Sequence, residues 1–199
     1  MPTLHDWIKK NPESDWKSRG YLPHLDGRDV VQFITYRLAD SLPRDFLTKL
    51  KAQLDREQIT EIEYHRKVEQ YLDLGQGPTY LQKQAVAAII EGNLLRFDGI
   101  KYVLLHWVLM PNHVHLLLKI LKGYSLAQVV HSLKSYTANQ ANRELGRAGR
   151  FWSIEYYDRF IRDGRHYANV VNYIHANPVK AGLCGTTKDW AFGCARLHD

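Results

Sequence analysis

Cysteine is scarce in this chain of 199 residues. Cys184 and Cys194 are the only two, too few for a disulfide framework or a four-thiolate zinc site. No apolar run approaches the roughly 18 residues that a membrane-spanning helix needs, and neither an internal repeat nor a low-complexity tract is present. The opening residues, from Met1 to Trp7, lack the charged-then-apolar pattern of a secretory signal. These absences predict a cytoplasmic protein with free thiols and no membrane partner. What is there excludes wholesale disorder: 45% of residues are apolar and 12% aromatic, enough for a buried core. The length fits one domain with an arm or insertion.

Charge is unevenly placed. Residues 1–100 hold 14 Lys+Arg against 15 Asp+Glu, and residues 101–199 hold 13 against 6, so the net +6 sits in the second half. Seven of the ten histidines sit there as well. A basic half attracts polyanions, nucleic acid first.

Residues 1–29 mix Pro, Asp, Gly and Trp without periodicity and read as an arm or lead-in. Val30–Leu38 is rich in β-branched and aromatic residues and predicts a first strand. Helical spacing starts near Pro43, runs through Phe46, Leu47, Leu50 and Leu54, and drifts on past Ile59 and Ile62. The charged stretch Asp55–Gln76 fits either an extended helix or an insertion. A second helix is expected over Leu81–Leu95. Tyr102–Leu109 and His113–Ile120, separated by Met110-Pro-Asn112, predict a β-hairpin. Ser125 and Gln128 form a candidate capping box for a third helix, which Gly146 is placed to end. Phe151–Ile161 predicts another strand, and His166–Ala176 a last helix stopped by Pro178. The tail from Val179 reads as loop. A tight hairpin excludes an all-parallel sheet, so the expected class is α+β: helices packed on an antiparallel sheet in a single domain.

The sharpest local feature is His113-Val-His115 on the second hairpin strand. The strand period of two points both imidazoles to one face and Val114 and Leu116 to the other. Two imidazoles so placed are half of a divalent-metal site, or simply line a polar sheet face. On the last helix Asn169, Tyr173 and Asn177 share one side at i, i+4 and i+8, while Tyr167, Val170, Val171 and Ile174 cover much of the other. If that polar side faces the histidines, Asn177 offers a carbonyl oxygen and Tyr173 a phenol. The bland alternative is a half-buried tyrosine with a solvated hydroxyl. Tyr136, with Gln140 one turn on, and Tyr167 are competing phenols.

These residues resemble a family. Met110-Pro-Asn-His-Val-His-Leu-Leu-Leu118 is similar to the HUH motif (His, hydrophobic, His) of single-tyrosine HUH transposases. Tyr173-Ile-His-Ala-Asn177-Pro-Val-Lys-Ala-Gly182 resembles the signature of their branch of REP-associated tyrosine transposases. Leu133-Lys-Ser-Tyr-Thr-Ala138, Phe151-Trp152, Asp158-Arg-Phe-Ile-Arg-Asp163 and the stretch from Phe33 to Pro43 are similar to that branch too. The likeness covers about residues 30–190, which makes 1–29 an arm, 30–190 a catalytic domain and 191–199 a tail.

The resemblance implies a ferredoxin-like, HUH-type sheet. It also implies a divalent cation, Mg²⁺ or Mn²⁺, on His113, His115 and Asn177, with Tyr173 as nucleophile. The activity implied is a DNA nickase and strand transferase, acting on single-stranded DNA near palindromic hairpins, the repetitive extragenic palindromes, through a 5′-phosphotyrosine. Lys134, Arg143, Arg147, Arg150, Arg159, Arg162 and Arg165 are the expected phosphate contacts, and Trp152, Tyr156 and Tyr157 either stack on bases or belong to the core. The alternatives are a non-catalytic hairpin-binding protein and a metal-dependent hydrolase using the His-x-His pair. A monomer and a homodimer both remain open.

Overall fold

The computed structural model describes residues 30–197, together with the backbone of the strands β1 (Trp16–Ser18) and β2 (Pro23–Leu25), which pair antiparallel. The rest of the 1–29 arm lies outside the described residues. A four-stranded sheet follows, made of β3 (Val31–Leu38), β4 (Tyr102–Leu109), β5 (His113–Ile120) and β6 (Trp152–Phe160). Its order is β4-β5-β3-β6 with every neighbouring pair antiparallel. With helices between β3 and β4 and between β5 and β6, this is the expected ferredoxin-like α+β arrangement. β3 and β5 are central and buried on both faces, which is why their sequences read as nearly continuous apolar runs.

Each face has its own core. Ile34, Tyr36, Leu38, Val114, Leu116 and Leu118 pack under α3 (Gln84–Arg96) and α4 (Leu126–Glu144). Val31, Phe33, Val108, Met110 and Leu117 pack under α5 (Gly164–Lys180). Strand alternation puts His113 and His115 on this second face, with Leu117. Among the described residues no helix is long and apolar enough to cross a membrane.

Two boundaries differ from the sequence reading. The long helical drift after Pro43 is two helices, α1 (Arg44–Asp55) and α2 (Glu61–Asp73). Between them Glu57 adopts a left-handed φ of 57°, and Thr60 and Glu63 form a capping box that restarts the helix. Neither glycine nor proline marks this break, so the periodicity alone runs through it. The second correction is at Pro178, which does not stop α5: the helix continues to Lys180, with Ala181 N–H donating to the Asn177 carbonyl. Proline removes only its own donor, and near the last turn few later bonds depend on it. Asn177 is therefore held inside the helix rather than at a frayed end.

Ser125 and Gln128 form their capping box, and Gly146 follows α4 with φ 60°, where glycine carries no Cβ penalty. The tail is not loose. Leu109 N–H donates to the Phe192 carbonyl, Trp190 Nε1 to the Leu109 carbonyl, and Val108 bridges Gly193 along the outer edge of β4. Arg196 pairs with Glu91 of α3 at 2.7 Å.

Candidate active site

Three elements converge on the α5 face of the sheet. His113 Nε2 and His115 Nε2 lie 3.0 Å apart. Asn177 Nδ2 is 3.1 Å and the Tyr173 hydroxyl 3.4 Å from His115 Nε2. Both histidines and Asn177 are buried. Phe33 stacks on His115 and meets Tyr173 edge-on, so the phenol and the imidazole are wedged against one ring. The spacing of Tyr173 and Asn177 brings both to the histidines, whereas Asn169, on the same stripe, is exposed two turns away.

The turn residue Asn112 fixes a protonation state. Its buried amide nitrogen donates to the carbonyls of Leu72 and Gln76, which leaves its Oδ1 to accept from His113 Nδ1 at 2.7 Å. An amide oxygen accepts only, so His113 carries its proton on Nδ1 and turns the Nε2 lone pair into the site. Thr35 Oγ1, 2.8 Å from His115 Nδ1, holds the second ring in the same way. Burial holds His113 neutral, with its pKa driven down to about 3, and burial together with the neighbouring His113 lowers His115.

The sequence reading missed two carboxylates. Asp73, at the end of α2, puts Oδ1 3.7 Å from His113 Nε2. With His113 neutral this is no ion pair. Burial raises Asp73 to about 6, against the pull of the Asn177 amide and Lys180. Glu69, one turn earlier, is raised to about 7 by burial and by Asp73. Burial first, then the charges of Glu69 and Asp73, push the Tyr173 phenol well above its usual range. Their four-residue spacing was visible inside the charged stretch; what they face was not.

The donor set fits a hard divalent cation. Asp73 Oδ1 and Asn177 Oδ1 are buried acceptors without a hydrogen-bond partner, beside an inward lone pair on His113. Buried acceptors are normally satisfied, and one cation among two imidazoles, an amide and a carboxylate satisfies them together. Asp73, His113 and His115 place one ligand atom each within 4.8 Å of the others.

The rival phenols lie elsewhere. Tyr136 is exposed on α4, which packs on the opposite face, and Tyr167 bonds His106 Nε2 at 3.1 Å. Trp152 is core, its indole donating to Thr137 Oγ1. Tyr156 and Tyr157 are half-buried on opposite faces. The seven basic candidates do not form one patch. Lys134 donates to the Ile154 carbonyl, and Arg147 lies over the Tyr80 ring. With Arg143 and Arg150 they belong to α4 and the segment after it. Arg159 pairs in register with Phe33 on the histidine face, and Arg162 and Arg165 are exposed where β6 leads into α5.

A histidine pair on the central hairpin strand faces a tyrosine-bearing helix within a ferredoxin-like fold, and parts of the chain are similar to known proteins. Residues 83–177 match the family described as transposase IS200-like. A Haemophilus influenzae protein assigned to the REP-associated tyrosine transposases is 30% identical over 94 residues, 42% of this chain and 53% of its own. The REP-associated tyrosine transposase of Escherichia coli is 25% identical over 87 residues, 43% and 50% respectively. The chain thus spans about half the length of the curated relatives it matches. A solved REP-associated tyrosine transposase bound to a REP hairpin shares the fold, with a TM-score of 0.56 at 18% identity, covering 91% of this chain and 83% of that one. The family match ends at Asn177 and begins after α2, so Glu69 and Asp73 lie outside it.

Proposed function

We propose that this chain is a metal-dependent endonuclease and strand transferase for single-stranded DNA, cutting beside palindromic hairpins through a covalent bond to Tyr173. The observation that carries the reading is the Tyr173 hydroxyl 3.4 Å from His115 Nε2, within a nest of histidine, amide and carboxylate. The names of the relatives support REP-type hairpins as the DNA.

His113, His115 and Asn177 would hold Mg²⁺ or Mn²⁺, with Asp73 adding a carboxylate. Such an ion supplies Lewis-acid polarisation of the scissile phosphate. Tyr173 Oη then bonds to phosphorus as the bond to the 3′ oxygen breaks, and the departing oxygen takes a proton from solvent to become a 3′ hydroxyl. A phenolate can attack phosphorus and later leave again, so the bond is stored and rejoining needs no ATP. The phenol must lose a proton, and its ordinary pKa of about 10 is too high for that unaided. Glu69, whose charge acts on the Tyr173 phenol and whose own carboxyl is raised to about 7 by burial and by Asp73, is the candidate acceptor for it. Lys180, whose ammonium lies 5.8 Å from the centre of the Tyr173 ring, balances the negative charge that develops there. Arg159, on the histidine face, is the basic side chain placed to hold a phosphate there, a contact that carries little base information.

The test is a labelled single strand carrying a hairpin, incubated with the protein and Mn²⁺ and run on a denaturing gel. A protease-sensitive covalent band supports the reading. Cut DNA without an adduct makes the protein a hydrolase, and retention on a native gel without cutting makes it a binding protein.

A further inference from the structure

A second cluster of donors lies at the outer edge of the sheet. His106 on β4, His175 on α5 and Cys194 in the C-terminal turn bring one nitrogen or sulfur each to a common point. His106 Nδ1 is 3.0 Å from His175 Nε2, and Cys194 Sγ is 3.8 Å and 3.5 Å from these two nitrogens. The fold builds this convergence. A bulge between Leu104 and His106 breaks the strand alternation, so that His106 turns toward α5 while Trp107 turns to the opposite core. The Val108–Gly193 bridge delivers Cys194 to the same place.

We propose that His106, His175 and Cys194 form a second metal site, taking a thiolate- and imidazole-seeking ion of the zinc class, which ties α5 and the C-terminal segment to β4. Tetrahedral zinc, with bonds of about 2.0–2.1 Å to nitrogen and about 2.3 Å to sulfur, puts neighbouring donors about 3.3–3.6 Å apart; the distances here, 3.0, 3.5 and 3.8 Å, bracket that range and need shifts of only a few tenths of an ångström. The cluster has an outer shell. Tyr167 Oη lies 3.1 Å from His106 Nε2 and holds the ring so that its Nδ1 faces His175 and Cys194. Trp107 N–H donates to Cys194 Sγ at 3.2 Å, stabilising a thiolate against the burial that raises the thiol. Binding replaces the thiol proton, which leaves to solvent, with a sulfur–metal bond. The sulfur is fully buried while both imidazoles are half-exposed. An ion therefore reaches the cluster from the imidazole side, whereas the sulfur is sealed from an organic substrate. Thiolate and imidazole suit zinc, while the carboxylate and amide beside His113 suit a harder ion, so one chain would hold two chemically different metals.

The test is titration of metal-free full-length protein with Co²⁺, followed by the thiolate-to-cobalt charge-transfer absorption. The His113 site has no sulfur, so this band reports the second site alone, whatever becomes of the transposase reading. The expected result is a band saturating at one equivalent, displaced by Zn²⁺, lost in Cys194→Ser, and kept in Cys184→Ser and in the His113→Ala/His115→Ala double variant. If Cys194→Ser does not fold, His106→Ala serves instead, with Co²⁺ affinity at that band falling roughly tenfold or more. Absence of the band in the wild-type protein, its persistence in Cys194→Ser, or unchanged affinity in His106→Ala overturns the proposal.

Discussion

Asp73 Oδ1 lies 3.7 Å from His113 Nε2, although the two residues belong to different elements and only His113 falls inside the family match. Asn112 makes the connection. Its amide nitrogen holds the end of α2 through the Leu72 and Gln76 carbonyls, while its oxygen holds His113. The hairpin turn thus positions both the imidazole and the carboxylate opposite it.

If Asp73 is a ligand, Asp73→Asn weakens Mn²⁺ binding roughly tenfold or more. Calorimetric titration of the metal-free protein reads this directly. An unchanged affinity confines the ligands to His113, His115 and Asn177.

Replacing the phenol separates chemistry from binding. Tyr173→Phe is expected to abolish the covalent DNA band while leaving native-gel affinity within about twofold, since one hydroxyl contributes little beside the phosphate contacts. Tyr136→Phe should leave the adduct intact; loss of the adduct there would move the nucleophile to α4.

Thr35 acts on His115 from behind, at 2.8 Å. Thr35→Val keeps the shape and removes the hydroxyl, so the ring loses its anchor. Mn²⁺ affinity should drop roughly 10–100-fold with an unchanged circular dichroism spectrum. Full affinity in this variant would show that packing against Phe33 alone orients the ring.

Glu69 ties stability to pH. Its folded pKa is raised from 4.5 to about 7 by burial and by Asp73. The folded state therefore holds this proton more tightly than the unfolded chain. The resulting stabilisation is complete below pH 4.5 and is lost as pH rises through about 7. Buried neutral His113 runs the other way, since its contribution is lost as pH falls from 6.5 toward about 3. Comparing wild type with Glu69→Gln cancels the histidine effect. Urea unfolding of the metal-free proteins should show wild type losing about 3 kcal/mol relative to the variant across that window. A constant difference would mean that Glu69 is solvated.

Arg159 lies on the histidine face and Arg143 on the helix behind the sheet. If single-stranded DNA crosses the site, Arg159→Ala lowers the salt slope of binding by about one phosphate contact, while Arg143→Ala has little effect. Equal slopes would place the DNA path elsewhere.

Periodicity in the sequence determined the hairpin, the side of β5 that carries both imidazoles, and the turn of α5 that carries Tyr173 and Asn177. Each follows from a repeat of two or of 3.6 within one short segment. The sequence motifs also pointed to the IS200-like family. Contacts between distant segments left no such mark. The break at Glu57 depends on a left-handed residue that is neither glycine nor proline, and the run of α5 through Pro178 depends on where its remaining donors find partners. Asp73 reaches His113, and Cys194 reaches His106, only because the folded chain carries α2 and the C-terminal turn to opposite borders of the same sheet. A side chain's neighbours across 40 or 88 residues are set by how whole elements pack, which no local period encodes.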